Sequence, residues 1–352
     1  MKGVVLAGGV GSRLRPFTYS GAKQLVPVAN TPVLYFPIRQ LVEAGITEIA
    51  LVVGDTEPQI RAAMGDGSQF GAAFTYVRQA APLGIAHAAG LCAGFAGDEG
   101  FVLYLGDNVL VGGITAFVDA FRASSSAASV ILKEVEDPRA FGVAVVNGER
   151  LVRVIEKPAD PPSNLAVIGV YAFRPPVFDV IAHQQPSARG ELEIADAING
   201  LLGRGFPVDT VITAEAWIDT GKMEDMLAAN RTVLDTLTPC IDPRARVSGS
   251  TVTGMVQAGE GTVIERCTVI GPAVIGADVR LSDSTIGPYV AIGDGCEVNA
   301  SALRNSIVME QSAVTGSPGI CDSMIGRFAV VTGAPAGSRL TLGDHSRFEV
   351  QP

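Results

Sequence analysis

From residue 240 onward aliphatic side chains return every six positions, and few folds accept that spacing. Val263, Val269, Ile275 and Leu281 share one register, Ile286, Ile292 and Val298 a second, and Val308, Val314 and Ile320 a third. Ile-Gly pairs recur at 270–271, 275–276, 286–287, 292–293 and 325–326. A hexapeptide period predicts a left-handed parallel β-helix, in which three hexapeptides close one triangular coil and the aliphatic residue points inward. At roughly 18 residues per coil, the stretch from Cys240 to Val350 makes about six coils. A β-sandwich would alternate with period 2 instead.

The chain before this repeat reads differently. Short apolar runs at Val4–Leu6, Ile49–Val53 and Phe101–Leu105 are hydrophobic without interruption, as strands covered on both faces are. Helical patterns separate them, one with Thr31 as N-cap, Pro32 at its first position and a stop at Gly45, another from about Gly84 to Phe95. This alternation predicts a Rossmann-like, mostly parallel α/β sheet flanked by helices. A helix is expected to end near Leu237, after which Pro239 and Pro243 break the pattern, so residues 1–238 and 239–352 are expected to be separate domains.

Composition narrows the partners. The formal net charge of −10 over 352 residues argues against nucleic acid or an anionic membrane as a partner, whereas a small anionic substrate needs only a local basic pocket. The five cysteines are odd in number, far apart and without a Cys-x-x-Cys pair, which suits reduced thiols in a cytoplasmic protein. No apolar window approaches a membrane span, and the apolar run at Gly3–Ala7 is too short for a signal peptide.

Chemistry-bearing residues gather at predicted strand ends. Gly8, Gly9 and Gly11 follow the first strand, where backbone N–H groups can approach a polyphosphate, and Ser12 and Arg13 come next. A dehydrogenase also offers glycines there, but no third glycine opens a helix, and Arg13-Leu14-Arg15-Pro16 stands where a pyrophosphate-binding helix would begin. Lys23 lies ten residues beyond Arg13 and supplies a second cation. Asp107 closes the strand at 101–105, with a carboxylate able to hold a hard divalent cation or simply to cap its own turn. Glu156-Lys157, Arg189 ahead of a helix near Glu193, and Asp219 at a strand-to-helix turn complete the set, each also compatible with an ordinary loop.

In this order the segments Gly8-Gly9-Val10-Gly11-Ser12-Arg13-Leu14, Lys23-Gln24-Leu25, Gly106-Asp107-Asn108, Glu156-Lys157-Pro158, Arg189-Gly190-Glu191-Leu192-Glu193 and Trp217-Ile218-Asp219-Thr220-Gly221 resemble glucose-1-phosphate thymidylyltransferases over roughly residues 2 to 235. The added β-helix resembles the longer form of that family, familiar from bacterial deoxysugar pathways. The resemblance implies that Arg13 and Lys23 bind the triphosphate and that Asp107 and Asp219 hold Mg²⁺. It implies that Gln79 hydrogen-bonds thymine while Gln24, Gly8 and Gly84 line the nucleoside. Gly142, Glu156 and Val167 would touch the glucose hydroxyls, and Lys157 with Arg189 would clamp the sugar phosphate. The expected small-molecule substrates are dTTP and glucose 1-phosphate, and a homo-oligomer is expected to cover the sides of the β-helix.

Three segments depart from the short enzymes. Leu83-Gly84-Ile85-Ala86-His87 replaces Asp-Gly-Leu-Ala-Gln, Phe141 stands where Tyr is common, and Ala195 replaces Thr. The implied reaction needs no protein nucleophile, because a sugar-phosphate oxygen is already anionic and the cations serve to bring two polyanions together. Three other readings are kept open: a UTP-using sugar-1-phosphate nucleotidyltransferase, a catalytically silent sugar-nucleotide sensor, and an acyltransferase run by the β-helix. The last would want a histidine in a coil, and that half holds only His345. The catalytic candidates all precede Pro239, so a fragment of residues 1–238 is expected to keep the chemistry.

Overall fold

A computed structural model describes residues 1–148 and 150–350. They divide into two compact units, one made of Met1–Val10 and Leu34–Trp217, the other of Gly11–Val33 and the chain from Ile218 onward. This division falls elsewhere than the change of period at Pro239.

The first unit contains, among the described residues, a nine-stranded sheet: β1 (Lys2–Leu6), β2 (Glu48–Val53), β3 (Ala73–Arg78), β4 (Phe101–Leu105), β5 (Ala128–Glu134), β6 (Gly142–Asn147), β7 (Arg150–Glu156), β8 (Leu165–Phe173) and β9 (Val208–Ile212). Their order is β3-β2-β1-β4-β8-β5-β9-β7-β6. The first four are mutually parallel, as the uninterrupted apolar runs predict, and Val4, Val5, Leu51, Leu103 and Tyr104 are buried. Beyond β4 the pairing is mixed, with β8 antiparallel to both β4 and β5 and β9 parallel to β5. Because β1 and β4 run in register from Lys2 beside Phe101 to Leu6 beside Leu105, the Gly8-Gly9 turn and Asp107 leave the sheet at one edge. The Gln79 N–H binds the Val53 carbonyl at 2.8 Å, so Gln79 leaves at that edge too. Carboxyl ends of parallel strands are where open α/β sheets bind ligands.

Helix Ile194–Gly203 is fixed to β7 by one side chain. Asn199 Oδ1 accepts the Val154 N–H at 2.9 Å and its Nδ2 donates to the Val154 carbonyl at 2.7 Å, standing in for a neighbouring strand. That pairing sets the start of the helix, and with it Glu193, against the strand that ends at Glu156.

Two helix expectations need correction. The helix expected from Gly84 to Phe95 is two, Ile85–Leu91 and Ala93–Ala96, parted at Cys92. Thr31 and Pro32 start no helix; they form a short strand paired with Pro27–Val28, and the helix is Tyr35–Glu43. The hairpin turn puts Ala29 at φ 47° and Asn30 at φ 59°, the left-handed pair a primed two-residue turn requires. Alanine gives no sequence cue for such a turn, and the Thr-Pro cap signature therefore misled.

In the second unit a parallel β-helix carries, among the described residues, seven strands on one face, from Arg246–Ser248 to Arg347–Glu349. The coil is shorter than three full hexapeptides: Val263 pairs with Arg280 and Arg280 with Glu297, steps of 17 residues, and Glu297 pairs with Ala313 after 16. The buried ladder Ile264, Val269, Ile275, Leu281, Ile286 and Ile292 shows the cause, since one corner of each coil spans five residues rather than six. Val263, expected to point inward, is only partly buried, and Ile264 takes that place. Buried serines close the corners, with Ser284 Oγ accepting the Ser301 N–H and Ser301 Oγ the Ser317 N–H, each at 3.1 Å. These bonds satisfy buried backbone donors without water.

The segment 11–33 and the helix Met223–Leu234 belong to this same unit. Asn30 Nδ2 donates to the Ile292 carbonyl at 2.6 Å, Ser20 Oγ to Asp344 Oδ2 at 2.6 Å, and Arg327 Nη2 to the Leu25 carbonyl at 3.3 Å. Asn230, fully buried on the helix, accepts the Ala29 N–H at 2.9 Å.

Candidate functional site

In the second unit Lys23 packs on Gly11 and Arg13 on Gly221. Gly11 has φ 68°, and a Cβ there would lie 2.7 Å from Lys23 Cβ, so the lysine stem runs directly over the glycine. Ser12–Leu14 form one turn of 3₁₀ helix, closed by the Leu14 N–H on the Gly11 carbonyl at 2.9 Å. The Arg13 guanidinium packs on Gly221: a Cβ at 221 would stand 2.7 Å from Arg13 Nη2 and 3.3 Å from Asp219 Oδ1. Arg13 and Asp219 therefore share the space that glycine leaves open. The Asp225 carboxyl nearby is held above its ordinary range by burial, with Glu224 adding to the shift and Lys222 and Arg13 opposing it. Gln24 sits in the 3₁₀ turn Lys23–Leu25, buried, and among the described residues its Oε1 accepts no hydrogen bond.

The first unit gathers the remaining candidates in two places. At the sheet edge, Asp107 Oδ1 accepts from Asn108 Nδ2 at 3.0 Å, while Asn108 Oδ1 accepts the Trp217 indole N–H at 2.6 Å. Trp217 also meets Phe141 edge-on at 5.1 Å, so the ring that departs from tyrosine is engaged in packing. Gln79 Nε2 lies 3.2 Å from the Gly84 carbonyl and 2.9 Å from His87 Nδ1. The Gly84 turn is itself tied to the Glu191–Glu193 segment, Leu192 N–H binding the Leu83 carbonyl at 2.8 Å and Ala86 N–H the Leu192 carbonyl at 3.1 Å.

The second place is built on β6, β7 and β8. Register sets Gly142 opposite Glu156, and Val143 opposite Ala166 brings Val167 alongside. Lys157 follows at φ 44°, a backbone state rarely adopted by side chains with a Cβ, and its N–H binds the Phe141 carbonyl at 3.0 Å. Arg189 Nη2 reaches Glu193 Oε2 at 2.8 Å, Glu156 Oε1 at 3.3 Å and Glu191 Oε2 at 3.7 Å. Burial holds the Glu156 carboxyl above its ordinary range; Lys157 and Arg189 oppose that shift and Glu193 adds to it. Gly142, Glu156, Lys157, Val167 and Arg189 thus form one cluster, in which a Cβ at Gly142 would stand 3.3 Å from Glu156 Oε2 and Arg189 is shared among Glu156, Glu191 and Glu193.

Among the described residues no three His, Cys, Asp or Glu side chains stand together as a metal cage. Mg²⁺ at a nucleotide takes one or two carboxylates and completes its octahedron with water and phosphate oxygens. The hard oxygen donors of Asp107 and Asp219 suit that coordination chemistry. The sequence did not point to His87 as a partner of Gln79, nor to Asn30, Arg327 and Asp344 as supports of the segment that carries Lys23. The five thiols are free, with Cys92, Cys267 and Cys296 buried, and burial pushes Cys92 and Cys296 up to about 12. Among the described residues, no helix is long and apolar enough to cross a membrane.

Residues 2–236 match the family model described as Nucleotidyl transferase, and the chain belongs to that family. It is a nucleotidyltransferase built on a Rossmann-like sheet with an appended β-helix. Along its full length it is 45% identical to a glucose-1-phosphate thymidylyltransferase of Streptomyces antibioticus, with all of both chains covered. It is 44% identical to the low-salt glycan biosynthesis nucleotidyltransferase Agl11 of Haloferax volcanii, over 99% of this chain and 100% of that one. A solved structure from Bacillus anthracis, named as a glucose-1-phosphate thymidylyltransferase with sucrose bound, superposes with a TM-score of 0.62 at 39% identity, covering 66% of this chain and 94% of its own.

Proposed function

We propose that this nucleotidyltransferase transfers dTMP from dTTP to glucose 1-phosphate, forming dTDP-glucose and pyrophosphate. The observation that carries the reading is the packing of Lys23 over Gly11 and of Arg13 against Gly221 beside Asp219, a cationic phosphate cradle with a carboxylate in it. Full-length identity to the Streptomyces antibioticus enzyme supports the choice of substrates.

Arg13 and Lys23 bind the triphosphate, aided by backbone N–H groups of Gly8, Gly9, Gly11 and Ser12. Gln79 and Gln24 with Gly84 hold the nucleoside. Lys157 and Arg189 hold the sugar phosphate while Glu156, Gly142 and Val167 contact the sugar. The clamp of Glu193 and Glu191 fixes Arg189 before substrate arrives, so little ordering remains to be done on binding. The sugar-phosphate oxygen forms a bond to the α-phosphorus while the bond from that phosphorus to the bridging oxygen breaks, and the electron pair leaves with pyrophosphate. Displacement is in line, with inversion at phosphorus. Asp107 and Asp219 hold Mg²⁺, which when bound offsets charge on the phosphates.

Free thiols suit a cytoplasmic enzyme, and the product suits deoxysugar biosynthesis. Homo-oligomer formation through the β-helix completes the reading. The test is kcat/KM for pyrophosphate release with dTTP, dUTP, UTP, dCTP and GTP, each against glucose, galactose and mannose 1-phosphates. The reading requires dTTP with glucose 1-phosphate to be the best pair; a higher value for UTP makes this a uridylyltransferase.

A further inference from the structure

We propose that His87 fixes the orientation of the Gln79 amide and thereby makes Gln79 a pure hydrogen-bond acceptor toward the nucleobase. The proposal rests on the reading of Gln79 as the residue that meets the base. The geometry runs through two acceptors on one turn. Gln79 extends from the end of β3, and its amide nitrogen faces the Gly84 carbonyl at 3.2 Å and His87 Nδ1 at 2.9 Å. A carbonyl oxygen can only accept, so the amide atom facing Gly84 is the NH₂ group. That nitrogen can only donate, so His87 Nδ1 is the lone-pair nitrogen of a neutral imidazole whose proton sits on Nε2.

Both amide hydrogens are then spent, one on each acceptor. Among the described residues nothing donates to Gln79 Oε1, which is the one polar atom of the amide left for a ligand. An unassisted glutamine can both donate and accept and reads a base edge ambiguously. Here only an N–H of the base satisfies it. Thymine and uracil carry a donor at N3, whereas cytosine presents a lone pair there. Where Oε1 meets N3, the arrangement selects for N3–H pyrimidines, since the only donor cytosine offers on that edge is its 4-amino group one atom further along, and it is indifferent to the 5-methyl group.

His87 is placed for this by the helix Ile85–Leu91, which starts immediately after Gly84, so one short segment supplies both acceptors. It is a positioning residue that acts through Gln79.

The full chain, as His87→Leu, His87→Gln and Gln79→Ala, is assayed with dTTP, dUTP, dCTP and glucose 1-phosphate. His87→Leu is expected to raise KM for dTTP and dUTP together by about tenfold, the effect of one lost hydrogen bond, with KM for glucose 1-phosphate unchanged. Its preference for dTTP over dCTP falls by a similar factor, and His87→Gln restores most of both. Should His87→Leu fail to fold, His87→Ala carries the same expectation. A folded His87→Leu or His87→Ala with unchanged KM for dTTP and unchanged rejection of dCTP, beside a Gln79→Ala that loses dTTP binding, overturns the proposal and leaves the role of Gln79 standing. A Gln79→Ala that keeps its dTTP KM overturns both.

Discussion

Glu156 and Arg189 hold each other across 3.3 Å, the one closing strand β7 and the other preceding helix Ile194–Gly203. The pair joins the residue assigned to the sugar with the one assigned to its phosphate. Its electrostatics are unusual because burial of Glu156 outweighs the two cations beside it and lifts the carboxyl above its ordinary 4.5.

The sign of the resulting pH dependence follows from linkage. A carboxyl whose folded value is raised binds its proton more tightly in the folded state. Stability is therefore highest below the ordinary value of 4.5, falls as pH rises through the folded value, and stays lower above it. Glu156→Gln should melt higher than the parent at pH 7.5, and the gain should shrink toward zero near pH 4. Glucose 1-phosphate KM should rise in the same variant. A Glu156→Gln protein that melts lower at pH 7.5 would mean that the cations, not burial, dominate at this site.

Gly221 is required by the space Arg13 occupies. Gly221→Ala should displace the guanidinium and lower kcat/KM for dTTP by about 10-fold to 100-fold, as small misplacements of a phosphate-binding group do. The fold should survive, so the melting temperature should stay close to the parent's. Unchanged kcat/KM in a folded Gly221→Ala would remove Arg13 from the triphosphate.

Asp107→Asn and Asp219→Asn keep shape and remove charge. Each should lose about 10²-fold or more in turnover at saturating Mg²⁺, in line with removal of one preorganised charge-stabilising group. Binding of Mn²⁺ in the presence of dTTP, followed by electron paramagnetic resonance, should weaken in both. Normal turnover in either variant excludes that carboxylate as a ligand.

The β-helix supports the segment carrying Lys23, which alters what truncation should do. Arg327 is paired with Glu310, its backbone N–H binds Asp344 Oδ1 at 2.8 Å, and its guanidinium donates to the Leu25 carbonyl. Arg327→Met should lower kcat/KM for dTTP severalfold, by roughly the worth of one hydrogen bond to a charged group. A fragment of residues 1–238, expected from the sequence to keep the chemistry, should instead lose most activity, since Asn30, Ser20 and Leu25 lose their partners together. Parental kcat/KM in that fragment would show that the β-helix contributes nothing to the loop.

What the sequence revealed and what it hid divide along physical lines. Strand ends bearing Gly8, Asp107 and Glu156 were legible because apolar runs mark strands and charges mark their ends. The β-helix was legible because its core is one ladder, yet its 17-residue coil was not, because the five-residue corner leaves the six-residue spacing intact elsewhere. The hairpin at Ala29 and Asn30 was hidden since tertiary packing overrode local preference. Arg327 lies 302 residues from Leu25, a separation over which no local pattern carries information. His87 was visible only as a departure from relatives, and its meaning required the 2.9 Å contact with Gln79.

Thymidylyl transfer to glucose 1-phosphate is decided by product analysis. The purified full chain with Mg²⁺, dTTP and glucose 1-phosphate should yield dTDP-glucose and pyrophosphate in equal amounts, and dTDP-glucose with pyrophosphate should return dTTP. Release of pyrophosphate or phosphate from dTTP with no dTDP-glucose formed would rule out thymidylyl transfer to glucose 1-phosphate.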